Sequence, residues 1–256
     1  MPVTHVHPGP DAARLNKVMG QAGLCSRREA DALIAAGLVS IEGEVVRDAG
    51  RKIEPGQTLT LSEAASEALA EGVTIMIHKP VGLVSGQPEP GKTPAVRLLT
   101  PENRIGDGPV PAQDASLPPI GRLDEDSRGL LLLSSDGVVA KAVIGPASDL
   151  DKEYRVRVAG EVTDRAMGLL RHGLMLDGRV LKRAQVVQLD RDRLKITLRE
   201  GRNRQIRRMA EMVGLRVTDL KRVRIGPLSL GDLPEGRWRH LTAEERAALL
   251  GQTPSG

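Results

Sequence analysis

A chain of 256 residues with a net charge of +4, one cysteine, one tyrosine, one tryptophan and no phenylalanine is long enough for two compact domains. The lone Cys25 forms no internal disulfide and no thiolate metal set, and so few aromatics rule out platforms that stack several bases. No apolar run approaches the roughly 20 residues of a membrane span, and residues 1–11 lack the apolar segment of a secretory leader, so the cytoplasm is the expected compartment.

In chain order, residues 1–11 are rich in Pro, Gly and His and are expected to be a disordered tail, with His5 and His7 too few to make a metal site. Leu15, Val18, Met19 and Ala22 share a helical face that stops at Gly23. Ser26 then caps a second helix with Glu29 as its reciprocal partner, and Gly37 ends it. Residues 39–42 and 45–46 alternate as strands around Glu42-Gly43, and residues 57–61 make another strand. Residues 12–61 therefore form a small module in which Arg14, Lys17, Arg27 and Arg28 lie off the apolar faces, placed to grip phosphates or simply to solvate the helices.

An Ala/Glu/Ser-rich linker or short helix, 62–72, leads to the β-branched run 73–78. The Pro/Gly-rich stretch 86–119 is irregular apart from a helical turn at 95–99. Gly121-Arg122-Leu123-Asp124 follows, then Glu125-Asp126-Ser127-Arg128-Gly129 and the apolar run 130–133. This reads as a carboxylate on a tight cationic loop entering a buried strand: a reactive acid, or a solvated turn. Residues 138–144 predict a short helix, and 152–158 a strand with Tyr154, Val156 and Val158 on its inner face. Tyr154 then points into a cleft or into the core. A helix over 163–172, paired strands at 180–189 and 194–199, and a strand over 216–223 complete an α+β pattern with a largely antiparallel sheet flanked by helices. Thr242 and Glu245 cap a last helix, and 252–256 is a short tail.

The basic excess is local. Residues 199–224 hold nine Lys/Arg against three acids, whereas residues 11–60 hold seven of each. Arg202, Arg204, Arg207 and Arg208 crowd a helix start, where free N–H groups and the helix dipole favour an anion, either phosphate or a buried carboxylate.

Two resemblances follow from these residues. Arg14-Leu15-Asn16-Lys17, Leu24-Cys25-Ser26-Arg27-Arg28-Glu29-Ala30, Gly37-Leu38-Val39 and Ile41-Glu42-Gly43 resemble the alpha-L RNA-binding module, which implies recognition of structured RNA. His78-Lys79-Pro80-Val81-Gly82, Gly121-Arg122-Leu123-Asp124, Lys152-Glu153-Tyr154, Glu200-Gly201-Arg202-Asn203-Arg204-Gln205-Ile206-Arg207-Arg208-Met209 and Val223-Arg224-Ile225-Gly226 together resemble the RsuA-like family of pseudouridine synthases, nearest the F and B types that modify the large ribosomal RNA. The resemblance implies a catalytic domain over 73–251 that isomerises a uridine in RNA, most plainly 23S ribosomal RNA, as a monomer with no cofactor, metal or membrane. It assigns Asp124 as catalytic aspartate, Tyr154 as the uracil-stacking tyrosine and Arg207, with Arg204 as rival, as the partner of Asp124. Arg122 is expected to fill the space left by the flipped base, with Arg202, Arg204 and Arg208 on phosphates. The stretch 106–119 is longer than the usual link into the catalytic motif. The alternatives are a non-catalytic RNA-binding ribosome-assembly factor, and a hydrolase releasing uracil with Glu125 or Asp126 as second carboxylate.

Overall fold

The computed structural model describes residues 2–70, 72–86, 90–112, 115 and 117–251, with Arg28 and Ala70 described by their backbone alone. The expected tail at 252–256 lies outside these residues. Two compact units emerge from the packing, Met1–Thr74 with Ser134–Pro146, and Ile75–Leu133 with Ala147–Gly256. No helix among the described residues is long and apolar enough to cross a membrane.

The first unit contains β1 (Val3–Val6), β2 (Ala13–Arg14), α1 (Leu15–Gln21), α2 (Arg27–Ala35), β3 (Val39–Ile41), β4 (Glu44–Val46), β5 (Lys52–Ile53), β6 (Thr58–Leu61), α3 (Glu63–Ala70) and α4 (Gly137–Ile144). Leu15, Val18, Met19, Ile34 and Leu59 form its core, which also buries Cys25 and pushes that thiol up to about 12, leaving it inert. Residues 1–11 differ from expectation. Val3 to Val6 pair antiparallel with Leu61 to Thr58, and the ring of His7 bonds the Asp11 carbonyl at 3.0 Å. The open edge of β6 supplies backbone partners that composition alone does not reveal.

The capping pair forms as expected. Glu29 N–H donates to Ser26 Oγ at 3.2 Å and Ser26 N–H to Glu29 Oε2 at 2.6 Å. The other oxygen of Glu29 accepts from Gly137 N–H at 3.1 Å, so one carboxylate caps α2 and ties down the start of α4. A Cβ at Gly137 would lie 2.0 Å from Glu29 Oε2 and 2.4 Å from Ser26 Cβ, which only glycine avoids. Helix α4, expected inside a continuous domain over 73–251, thus packs in the first unit instead.

The second unit is built on β7 (Thr74–Lys79), β8 (Leu83–Val84), β9 (Thr93–Pro94), β10 (Arg128–Ser134), β11 (Lys152–Ala159), α5 (Asp164–Arg171), β12 (Met175–Leu176), β13 (Arg179–Val180), β14 (Gln185–Asp190), β15 (Arg193–Leu198), α6 (Gln205–Met212), β16 (Arg216–Ile225), β17 (Leu228–Ser229), β18 (Trp238–His240) and α7 (Ala243–Leu249). The main sheet runs β14-β15-β11-β16-β10-β7-β18, with β17 on β16. The β10–β16 pair is parallel, while the β11–β15, β11–β16, β14–β15, β16–β17 and β7–β18 pairs are antiparallel, giving the expected α+β class. Met167 and Leu170 of α5 and Ile206, Met209 and Ala210 of α6 cover the face formed by Val156, Leu194, Ile196 and Leu220. Each fully buried aliphatic side chain here contributes about 1.5–3 kcal/mol. The strand expected over 180–189 begins only at Gln185, because Arg179 and Val180 pair instead with Leu176 and Met175.

Candidate active site

The Asp124 loop is held from three sides. Ser85, buried beneath it, takes both polar groups of Leu123: Leu123 N–H donates to Ser85 Oγ at 2.8 Å, and Ser85 Oγ donates to the Leu123 carbonyl at 2.7 Å. Gly82 N–H donates to the Glu125 carbonyl at 2.8 Å, and Ser127 N–H closes a turn onto the Asp124 carbonyl at 3.1 Å. Arg222 of β16 then reaches across, donating to the carbonyls of Leu130 at 2.8 Å and Arg122 at 3.2 Å. Behind it Gly129 lies against Arg222 with φ at +109°, and a Cβ there would sit 2.2 Å from the Arg222 carbonyl oxygen.

The arginines divide differently from expectation. Arg207, 8% exposed, donates to the Asp126 carbonyl at 2.8 Å and to Ser127 Oγ at 3.3 Å, and lies 3.2 Å from the Asp126 carboxylate. It makes no bond to Asp124 among the described residues. Arg204 binds both Asp126 oxygens, at 3.2 and 3.0 Å, and approaches Asp124 Oδ2 to 3.7 Å. The expected Asp124–Arg207 pair is therefore corrected to Asp126–Arg207, with Arg204 beside Asp124. The reason is reach: Arg207 rises from the buried first turn of α6 under the backbone of the 124–127 turn, whereas Arg204, preceding the helix, overlooks it from solvent. Arg204 holds that place in the left-handed region, φ 48° and ψ 33°, a backbone cost of about 1 kcal/mol for a residue with a Cβ.

Burial works to raise the Asp126 carboxyl, but the Arg204 hydrogen bonds and the charges of Arg207 and Arg204 outweigh it and hold the group below the usual carboxylate range. Asp126 thereby absorbs both guanidiniums and leaves the Asp124 carboxylate, 32% exposed, open to a substrate. Lys79, fully buried, donates to the Pro80 carbonyl at 2.8 Å. Burial lowers its ammonium to about 8, against the opposing pull of Asp126, Glu125 and Asp124.

Tyr154, half-buried, packs against the core and lies opposite Ile196 on β15 and Arg222 on β16. Through Arg222 it joins the same scaffold that clamps Arg122. The Arg122 side chain is exposed and has no hydrogen bond or ion pair among the described residues. Arg202 is committed to the Leu176 carbonyl at 2.7 Å and Glu200 at 3.5 Å, and Arg208 to both oxygens of Asp177 at 3.0 and 2.7 Å. Arg14, Lys17 and Arg27 are exposed in the first unit, and the Arg28 side chain lies outside the described residues. Sequence reasoning passed over Ser85, Asp126 as the arginine acceptor, and Arg222. The last left a trace, a charge on a strand of alternating apolar residues.

The RNA pseudouridylate synthase family model matches residues 73–212, and the S4 domain model matches residues 13–59. The dual-specificity RNA pseudouridine synthase RluF of Salmonella typhi is 36% identical over 251 residues, spanning 93% of this chain and 79% of its own length. The ribosomal large subunit pseudouridine synthase B of Bacillus subtilis (strain 168) is 34% identical, spanning 91% and 93%. A crystal structure of a pseudouridylate synthase is similar with a TM-score of 0.64 at 28% identity, covering 92% of this chain and 99% of that one. With an S4 domain ahead of a synthase domain, this chain belongs to the RNA pseudouridylate synthase family.

Proposed function

We propose that the protein converts a uridine of 23S ribosomal RNA to pseudouridine, with Asp124 as its nucleophile or ribose base. The observation that carries this reading is the division of labour in one turn, where Asp126 binds both arginines and Asp124 stays open, with Arg204 no nearer than 3.7 Å. A carboxylate committed to a bidentate pair is a poor nucleophile; an open one held by backbone clamps is pre-positioned.

The isomerisation breaks the N1–C1′ bond, turns the uracil within the pocket and joins its carbon five to C1′. Carbon five then loses its proton and N1 gains one, so composition is conserved. Asp124 either attacks C1′ or removes a ribose proton, and its charge stabilises the cationic character of the sugar. Tyr154 stacks on the uracil and assists removal of the carbon-five proton. Arg207 positions Asp124 through the backbone of the turn, and Arg204 supplies the nearby positive charge. The unpaired Arg122 side chain fills the gap left by the flipped nucleotide, whose extrusion costs a few kcal/mol. Phosphate contacts from Arg14, Lys17, Arg27 and Arg28 offset that cost. Arg202 and Arg208, held by Glu200 and Asp177, meet phosphates only at the rim of the site.

Chemical mapping of pseudouridine in ribosomal RNA from a deletion strain carrying the native or the Asp124→Asn gene tests this. Asn keeps the shape and loses the charge, so the modification drops by more than about a thousandfold while RNA affinity stays near native. An unchanged pattern with Asp124→Asn would refute the assignment. The binding-only alternative predicts that the deletion strain itself shows no missing pseudouridine.

A further inference from the structure

On the sheet face away from α5 and α6, four cations stand in direct cross-strand register. Arg128 of β10 pairs with Lys221 of β16, Lys221 with Arg155 of β11, and Arg155 with Lys195 of β15. Paired residues project to the same side, and Arg155 alternates with Tyr154 and Val156, which face the helices. Like charges directly opposite one another in a sheet are destabilising. The neighbouring row offsets its one like-charge pair, Arg157 opposite Arg193, with an acid at each end, Asp219 opposite Arg157 and Asp190 opposite Arg193. The four-cation row contains no acid. Arg128 alone is fully neutralised, by Asp219 at 2.7 and 2.8 Å and by Glu235 at 3.3 Å. The nearest carboxylate to Arg155 is 3.8 Å away on Glu153, and Lys195 and Lys221 have no ion pair among the described residues. A cavity of about 410 Å3 lies over the Arg128, Lys221 and Arg155 part of the row, with Arg193, Asp219 and Leu189 also in its wall.

We propose that this row is a second RNA-binding surface, which takes the phosphate backbone of a segment lying outside the modified nucleotide's own stem. At roughly 4.8 Å per strand the row extends about 14 Å, long enough to meet several phosphates, and counterion release from them offsets the mutual repulsion of the cations. At its β14 end the row continues from Lys195 to the exposed Val187, with exposed Leu189 nearby, an apolar patch small beside the run of cations and well short of a protein-docking face. Tyr154 and the buried face of α6 belong to the other side of the sheet, so the row adds affinity for a large folded RNA without touching the reacting base. The inference rests on the pseudouridine-synthase reading.

The test is the triple variant Arg155→Gln/Lys195→Gln/Lys221→Gln, which leaves the Arg128–Asp219 bridge intact. Kd is measured by filter binding from 50 to 300 mM salt, on intact 23S ribosomal RNA and on the shortest fragment that the native protein still modifies. On the intact RNA, Kd should rise about tenfold near 100 mM salt, and the slope of log K against log salt should become shallower by about 2, or about 0.7 per lost phosphate contact. On the short fragment, Kd and turnover should match the native protein. The charge-preserving Lys195→Arg/Lys221→Arg variant should behave as native on both RNAs. A control removing three exposed cations elsewhere, Arg165→Gln/Lys182→Gln/Arg183→Gln, should leave the slope within about 0.5 of native. Unchanged binding of intact RNA by the triple variant overturns the proposal and leaves the row to an acidic protein partner; an equal loss in the control also overturns it. If the native protein modifies neither RNA, it is the parent reading that fails.

Discussion

Arg27-Arg28 and Arg207-Arg208 look alike in the chain, as two arginine pairs at the start of a helix. In the structure Arg27 is exposed at the beginning of α2, whereas Arg207 is buried at the beginning of α6 and donates to a backbone carbonyl and a serine hydroxyl of the 124–127 turn. The difference lies in what each helix start faces. Ahead of α2, Ser26 caps the free N–H groups and leaves Arg27 to solvent. Ahead of α6 no side-chain cap forms, and the first turn packs beneath a loop with spare carbonyls. An exposed guanidinium is available for RNA phosphate; a buried one is a fastener.

Replacing the two kinds of arginine should separate these roles. Arg207→Met keeps the apolar stem and removes the fastener, so turnover should fall about a hundredfold with KM changed less than threefold. Hydrogen exchange at residues 124–127 should rise in parallel, which loss of charge at a remote surface does not produce. If KM rises while turnover holds, Arg207 is an RNA contact after all.

Lys79 extends the comparison to a buried ammonium. Its folded value of about 8 lies below the ordinary 10.5. Burial disfavours the charged form, so between these limits the unfolded chain binds more protons than the native one. The cost is fully present below pH 8 and is relieved as the pH rises towards 10.5, so this group alone should raise unfolding free energy by up to about 3 kcal/mol over that window. Urea titrations at pH 7, 8, 9 and 10 should show the rise in native protein and a flatter profile in Lys79→Met. Parallel profiles would place the Lys79 proton at its ordinary value.

The smallest effect is expected from the free cations. Arg14→Gln/Lys17→Gln/Arg27→Gln should raise KM about tenfold and make the salt slope shallower by about 2, with turnover within a factor of two. Steady-state kinetics on 23S ribosomal RNA at two salt concentrations would show it, and an unchanged KM would remove these residues from the RNA surface. Charge variants are the sharper tool, because deleting residues 1–61 would strip α4 of the helices it packs on.

Local signals in the chain were sufficient for the elements with a strong period or cap: α1, α2 with its Ser26–Glu29 box, β11, and α7 with its Thr242–Glu245 box. Val3–Val6 escaped notice because its pairing partner, β6, lies more than fifty residues away and a Pro/Gly-rich flank hid it. Trp238–His240 was missed for a similar reason: three residues have no readable alternation, and only the edge of β7 makes them a strand.

The same division holds at the site. Asp124 and Tyr154 stand out as candidates because an acid in Gly-Arg-Leu-Asp and the one tyrosine of the chain are chemically singular, and the five ordered motifs defined the family. Which arginine meets which acid was not legible, since Arg204 and Arg207 stand three residues apart on a helix start and Asp124 and Asp126 two apart in a turn. Sequence records charges and spacing along one dimension. The direction of each guanidinium depends on which face of α6 is buried and how the turn is clamped from Ser85 and Arg222, and those are set by contacts between residues 38 to 100 positions apart.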